Sequence, residues 1–462
     1  MNTEIQQQLS AIVGNDYVLS DASDRTEYGQ DWSKIFTPDP SFVVRPKTTE
    51  QVQALVKLAN QLDLAIVPSG GRTGLSGGAC ATQGEIVLSL DRMNEIKGIN
   101  TVDRTITVEA GVVTQSIHQF AESHGLYYPV DFASTGSSQI GGNIATNAGG
   151  IKVIRWGMTR DWVVGLTVVT GDGEVLQLNQ GLIKNATGYD LRHLMIGSEG
   201  TLGIIVEAQL KLTTIPNDLT VMVLGLNQLS DVYPVMEQFQ QSLSLTAFEF
   251  FSEQALQKVL AHHDIQRPFD TECDFYVLVE FENTHESVMD TAFASFEAVM
   301  ENGYVVDGVI SQSESQAESL WALRERISES ISVHTPYKND ISVVPSQVAE
   351  FLTRVDEIVK AQYPSFEIIW FGHIGDGNLH LNILRPEDLS IDEFVERCRQ
   401  VNPLIFTEIQ NLGGSISAEH GVGLVKKDYL GYSRSEAEIA LMKRIKLAFD
   451  PKGILNPGKL FD

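Results

Sequence analysis

Cysteine is scarce in this chain. Its 462 residues include three, Cys80, Cys273 and Cys398, which lie far apart and show no Cys-x-x-Cys spacing. No disulfide framework is expected, and a reducing compartment is implied. Long apolar runs are also missing. No stretch of eighteen apolar residues exists, so no helix is expected to span a membrane. The opening residues Met1-Asn-Thr-Glu-Ile-Gln-Gln-Gln-Leu-Ser lack the basic segment and apolar core of a signal peptide, and a cytoplasmic location is the expectation. Basic residues are outnumbered, 33 Lys and Arg against 60 Asp and Glu, for a formal net charge of −27. Nucleic-acid binding needs concentrated Lys and Arg, so it is argued against. A small anionic substrate would require the few cations to gather in one site, and most of the acidic excess reads as solvated surface. Two phosphate-binding signatures are absent as well. No Gly-x-Gly-x-x-Gly follows a strand (Gly197, Gly200 and Gly203 are spaced by three), and there is no Walker A sequence.

What remains is a soluble globular composition, 43% apolar and 20% charged, on a chain too long for one small core. Residues 1–38 read as a helical segment and a polar connector ending at Thr37-Pro-Asp-Pro40. Residues 39–217 read as an α+β domain. It has strands at Phe42-Val-Val-Arg45, Ala65-Ile-Val-Pro68, Ile86–Leu90, Thr105–Ala110, Val163–Thr170 and Val175–Leu178, and helices at Thr48–Leu62 and Thr114–His124. Three glycine-rich segments interrupt it: Ser69–Gly78, Thr135–Gly150 and Ile196–Ile205. Pro216–Asp218 looks like a linker. Residues 218–424 read as a second α+β domain on an antiparallel sheet, with strands at Leu219–Leu226, Ala247–Phe251 and Phe275–Phe281 and helices at Leu229–Leu243, Glu286–Glu301 and Ser313 to about Val333. Residues 425–462 contain a helix at Ser433–Phe449 and then an irregular path through Asp450-Pro-Lys-Gly-Ile-Leu-Asn-Pro-Gly-Lys459.

Glycines clustered after strands let backbone N–H groups approach phosphate oxygens, although any single loop could equally be an ordinary tight turn. The chemistry-bearing segments are Phe371-Gly-His-Ile-Gly-Asp-Gly-Asn-Leu-His380-Leu-Asn382 and Ser417-Ala-Glu419-His420-Gly-Val-Gly423. Together they offer three imidazoles and a carboxylate, donors suited to zinc or a similar divalent ion. Glu367–Phe371 reads as a buried strand, Ile374–Gly377 as a turn and Asn378–Leu384 as the returning strand. If His373 opposes Asn378, then His380 opposes Phe371. The two imidazoles then share one face as diagonal neighbours, and Asn382 points the same way. Composition and spacing lead to a nucleotide or cofactor domain plus a metal site and no further. A metal-dependent hydrolase without flavin and a non-catalytic nucleotide-binding regulator remain open on these grounds.

The loops Pro68-Ser-Gly-Gly-Arg-Thr-Gly74, Gly136-Ser-Ser-Gln-Ile-Gly-Gly-Asn143, Thr146-Asn-Ala-Gly-Gly150 and Ile196-Gly-Ser-Glu-Gly-Thr-Leu-Gly203 resemble the FAD-binding domain of the vanillyl-alcohol-oxidase/p-cresol-methylhydroxylase superfamily. Gly372–His380, Ala418–Gly423 and Asp450–Gly458 resemble its D-2-hydroxy-acid dehydrogenase branch. Leu323-Arg-Glu-Arg-Ile-Ser328 and Tyr337-Lys-Asn-Asp-Ile-Ser342 are most similar to the members that oxidise D-2-hydroxyglutarate. The resemblance covers nearly the whole chain. It implies an α+β fold, an FAD-binding domain plus a substrate domain with an antiparallel sheet and a C-terminal helical segment returning to the FAD domain.

It further implies FAD contacts from Pro68, Ser69, Gly70, Gly71, Arg72, Thr73 and Gly74, from Gly136, Ser137, Gly141, Gly142, Asn143, Thr146, Gly149 and Gly150, from Gly200 and Ile204, and from Asn456. Arg72-Thr73 stands where some relatives carry a linking residue, so noncovalent FAD is expected. His373, His380 and Glu419 would ligate the metal, His420 would be the catalytic base and also touch substrate, and Asn382 would bind substrate. Arg324, Ser328 and Lys338 would hold the distal carboxylate of D-2-hydroxyglutarate, a group that D-lactate and glycolate, the nearest alternative substrates, do not have. On a helix, Arg324 and Ser328 would share a face. Electrons would pass to an electron-transfer flavoprotein or a quinone-linked acceptor, and a homodimer is compatible.

Overall fold

The computed structural model describes residues 2–462. The chain forms two compact units. The first takes the residues up to Gly149, then Met158–Ile215 and Glu419–Asp462; the second takes Gly150–Gly157 and Pro216–Ala418. The boundary thus falls after Ala418 rather than at residue 424, and a short segment from within the expected FAD domain belongs to the second unit.

The first unit contains two sheets. Strands β1 (Val18–Leu19), β2 (Phe42–Val44), β3 (Ile66–Ser69) and β4 (Ile86–Ser89) form one, in the order β1-β2-β4-β3. Here β2 and β3 both run parallel to β4. Their continuous apolar sequences suit strands covered on both faces. β1 lies in the stretch expected to hold only helix and connector, and it pairs antiparallel with β2. The helix Thr49–Leu62 buries Val52, Leu55, Val56 and Ala59, one stripe at helical spacing, and the Thr48 side chain caps it by accepting from the Gln51 N–H. Pro68 sits in β3, the outer strand of the four, where a missing N–H is tolerated. The C-terminal tail returns to this strand. The Ile66 N–H donates to the Ile454 carbonyl at 2.8 Å, and the Asn456 N–H donates to the Ile66 carbonyl at 2.7 Å.

Strands β5 (Ile96–Asn100), β6 (Thr105–Glu109), β7 (Val163–Thr170), β8 (Val175–Leu178) and β9 (Gly203–Lys211) form the second sheet, antiparallel throughout, in the order β5-β6-β9-β7-β8. The glycine-rich region 135–150 is not all loop. Ile140–Thr146 is a helix, because Ile140 and Ile144 bury one turn apart and tertiary packing outweighs the low propensity of the two glycines between them.

The second unit is built on one antiparallel sheet of seven strands: β10 (Leu219–Leu226), β11 (Leu245–Ser252), β12 (Phe275–Glu282), β13 (Asp307–Ile310), β14 (Tyr337–Ser342), β15 (Ile368–His373) and β16 (Asn378–Ile383), ordered β13-β10-β12-β11-β15-β16-β14. Its core joins Val221, Ala247, Phe251, Tyr276, Leu278 and Phe371 of the sheet to Leu320, Leu323, Ile327 and Ile331 above it. The last four lie on two helices, Glu314–Glu325 and Ile327–Ser332, where one continuous helix was expected. The break at Arg326 lets both pieces reach the same cluster.

The segment 150–157 carries a short helix, Val153–Trp156. Lys152 forms an ion pair with Glu280, which also accepts from the Thr246 hydroxyl and, at 2.8 Å, from Trp321 Nε1. Both charges are largely buried, so the pair is matched only while both partners remain. Lys152→Ala is therefore expected to destabilise the second unit by about 3–5 kcal/mol. Lys152→Ala combined with Glu280→Gln should recover much of that loss, and denaturant unfolding of the three proteins reads both effects.

Candidate active site

Strand β3 runs into the first glycine loop, and the loop becomes one wall of a cleft in the first unit. Pro68 to Gly74 form this wall. Gly141, Gly142, Asn143 and Thr146 of the short helix, together with Gly200, Ile204, Asn456 and His420, are among the other lining residues. Two loops approach closely here: a Cβ on Gly71 would stand 2.3 Å from the Ser137 carbonyl oxygen. Three lining residues other than glycine hold the left-handed backbone region: Arg72 at φ 57°, Glu199 at 51° and Asn456 at 44°. Such strain persists only where the surroundings over-determine it.

Three polar atoms in this lining, Ser69 Oγ, Gln139 Oε1 and Asn456 Oδ1, are buried with no protein partner. Buried polar atoms without partners are costly, so these fit a polar cofactor that would supply them. Of the residues expected to contact FAD, Gly136, Ser137 and Gly149 do not line the cleft, and Gly150 belongs to the second unit. Glu199, Ser76 and Gln139 line it and were not anticipated.

Glu199 organises the segment that carries His420. Its carboxylate accepts the N–H groups of Val422 and Gly423, both at 2.8 Å. Burial pushes its pKa up, opposed by these two hydrogen bonds and by Lys426. From the other side, Ser76 Oγ donates to the Gly421 carbonyl at 3.0 Å. The tail is fixed by Asp450, fully buried, which accepts from the N–H groups of Ile454 and Leu455 and from Lys446 Nζ. That turn delivers Asn456, whose amide donates to the carbonyls of Gly78 and Glu199 at 2.9 and 2.7 Å.

In the second unit the register decides what meets. His373 pairs with Asn378 and Phe371 with His380. β14 pairs Asp340 with His380 and Lys338 with Asn382. β11 pairs Phe251 with Phe371. Alternation then places Glu249, Phe371, His373, Asn378, His380, Asn382, Lys338 and Asp340 on one face. The turn between the two histidines depends on Gly377, at φ +83°, where a Cβ would meet the Val343 carbonyl oxygen at 1.9 Å. The two imidazoles stand edge to face with ring centroids 5.4 Å apart.

Arg324, 6% exposed, comes down from the helix Glu314–Glu325 onto this face. Its guanidinium lies 4.8 Å from the Phe371 ring centroid, and Nη2 pairs with Glu249 at 2.8 Å. Its Nε is buried with no partner. Glu249, which sequence reasoning missed, also accepts from His373 Nδ1 at 2.8 and 2.9 Å. Lys338 is exposed, Ser328 half-buried and Asn382 buried; the Asn382 amide donates to the Ile369 and His380 carbonyls at 3.5 and 3.3 Å.

Comparison with known proteins gives these features a family. Residues 40–179 match the FAD binding domain model, and residues 215–460 match the model for the C-terminal domain of FAD-linked oxidases. The fold and cleft are those of a flavin-dependent oxidoreductase. A D-2-hydroxyglutarate dehydrogenase of Stutzerimonas stutzeri (strain A1501) is 59% identical over 454 residues, 98% of each chain. One from Xanthomonas citri pv. viticola is 54% identical over 443 residues, 96% of this chain and 94% of its own. The 4-ethylphenol oxidase of Gulosibacter chungangensis, solved with isoeugenol, superimposes with a TM-score of 0.78 at 18% identity over 99% of this chain and 97% of that one, a likeness of fold. The chain belongs to the FAD-linked oxidase family, as an FAD-dependent D-2-hydroxy-acid dehydrogenase.

Two outcomes follow from this geometry. Gly71→Val should lower FAD affinity roughly tenfold or more, since the new side chain must displace the Ser137 backbone; flavin absorbance of the purified variant against total protein reads it. Burial pushes the Asp376 carboxyl from 3.8 up to about 6; the His373 imidazole opposes the rise, and Glu249 and Asp340 add to it. Its folded value lies above its unfolded one, so the ionised form is disfavoured in the fold. Stability is therefore lost as pH rises from about 4 to about 6. In metal-free protein, Asp376→Asn should gain about 3 kcal/mol relative to wild type between pH 4 and pH 7. Denaturant unfolding at both pH values checks this, and a pH-independent difference would contradict it.

Proposed function

We propose that the protein oxidises D-2-hydroxyglutarate to 2-oxoglutarate with noncovalently held FAD and a divalent metal ion. The observation that carries this reading is the buried Arg324, fixed on the same sheet face as His373 and His380 with a spare Nε donor. A substrate with a second carboxylate needs a cation at its far end, and charge-assisted bonds there contribute about 1.5–3 kcal/mol each. Arg324, Lys338 and the Ser328 hydroxyl would hold that distal carboxylate. Asn382 would orient the reacting end. The two close relatives carrying the D-2-hydroxyglutarate dehydrogenase name support the substrate.

FAD, when bound, supplies the acceptor for the hydrogen at C2. The donors suit zinc or a similar ion: His373 presents Nε2 because Glu249 occupies Nδ1, His380 stands beside it, and Glu419, carried by the first unit, is the proposed third ligand. Such an ion would acidify the C2 hydroxyl. His420, also on the first unit, would take the hydroxyl proton, as imidazole titrates near working pH. Electrons would then leave to an electron-transfer flavoprotein or a quinone-linked acceptor.

A panel of D- and L-2-hydroxy acids with an artificial acceptor, with and without chelator, tests the assignment; preference for D-lactate or indifference to chelator would defeat it. Because Lys338 is exposed, replacing it costs little folding energy. Lys338→Met should raise KM for D-2-hydroxyglutarate roughly tenfold and leave D-lactate turnover nearly unchanged.

A further inference from the structure

We propose that Glu249 is a positioning residue that sets the tautomer of His373 and, through the same carboxylate, the placement of Arg324. This deepens the metal and substrate reading above and rests on it. Glu249 lies on β11, the middle strand of the seven, and its side chain is 1% exposed. One carboxylate oxygen is 2.8 Å from His373 Nδ1 and the other 2.9 Å from it. The second oxygen is also 2.8 Å from Arg324 Nη2.

An ionised carboxylate only accepts hydrogen bonds, so contact at this distance places the proton on Nδ1. A neutral imidazole carries one proton, so Nε2 keeps the lone pair that a metal ligand needs. This is the arrangement by which a second carboxylate orients a metal-binding histidine and raises its basicity. Beside the second histidine, Asp340 Oδ1 stands 3.8 Å from His380 Nδ1 and accepts from the Asn378 amide at 2.8 Å.

The Arg324 contact adds the second half. A guanidinium on a helix side chain has several rotamers, and burial without an anion would be costly. Glu249 removes both difficulties by anchoring Nη2 while Nε is left without a protein partner. One carboxylate therefore aligns a ligand for the reacting end of the substrate and a cation for its far end. A purely structural ion pair would need Arg324 alone and would have no effect on His373.

The test uses the FAD-loaded protein labelled with [15N]histidine. In metal-free wild type, the His373 resonances should show a protonated Nδ1 and a bare Nε2. Glu249→Gln keeps the shape and removes the charge. It should mix the tautomers, weaken Zn2+ affinity about 10–100-fold in chelator competition, and raise KM for D-2-hydroxyglutarate while flavin content stays unchanged. If Glu249→Gln does not fold, Glu249→Asp keeps the charge but withdraws it by one methylene, and the same loss of Zn2+ affinity is expected. Wild-type tautomer and Zn2+ affinity within about twofold in the folded variant would overturn the proposal and leave the functional reading intact. Wild-type protein that binds no Zn2+ would overturn the metal reading, and the proposal with it.

Discussion

A buried carboxylate has to be matched, and the second unit is arranged around two of them. Glu249 and Glu280 lie on adjacent central strands, both almost completely enclosed. An unpaired charge in such a place costs several kcal/mol. The sheet therefore draws Arg324 and His373 to one and Lys152, Trp321 and Thr246 to the other. Each neutralising group arrives on a different piece of chain: a helix, a neighbouring strand, and the segment 150–157 inserted from between parts of the first unit. Charge matching in an acidic protein thus recruits its scarce cations to the face that carries the histidines.

The first unit uses backbone more than charge. Its cleft is bounded by loops that approach to distances only glycine allows, as at Gly71. Arg72, Glu199 and Asn456 are non-glycine residues held in the left-handed region around it. Two of these also clamp chain: Glu199 ties down Val422 and Gly423, and Asn456 joins the loops at Gly78 and Glu199. The residues that shape the cleft and the residues that fix the His420 segment are in part the same.

Local pattern carried much of this. β7, β8, β10 and the helix Glu286–Glu301 lie where periodicity places them, since β7, β10 and the helix are long apolar or amphipathic runs and β8 alternates after the turn at Gly171-Asp-Gly173. The pairing of His373 with Asn378 and His380 with Phe371 follows from a turn of fixed length and a period of two. What could not be read is what depends on distant chain. Glu249 is separated from His373 by 124 residues, and locally it is only an acid inside an apolar strand. Glu199 left a faint signal, a lone carboxylate among glycines. The helix Ile140–Thr146 was hidden because its glycines read as loop, and only burial of its isoleucines explains it. The engagement of Arg324 by a protein carboxylate likewise has no trace in the run Arg-Glu-Arg.

The connection of the tail to β3 has a consequence for biosynthesis. Ile66 hydrogen-bonds to residues 454 and 456, so the first sheet of the chain is completed by residues that follow the whole second unit. The walls of the flavin cleft come from segments beginning at Pro68 and ending at Asn456. A chain emerging from the ribosome can pair β2, β4 and β3 early, but Asn456 joins this lining only after the second unit has been synthesised. Contacts of such long sequence separation form slowly. In the interval the glycine loops stay exposed, and the second unit, whose chain is complete earlier apart from the inserted 150–157 segment, has time to fold first. Cofactor capture therefore follows synthesis of the second unit, and loss of Asn456 would remove part of the cleft itself.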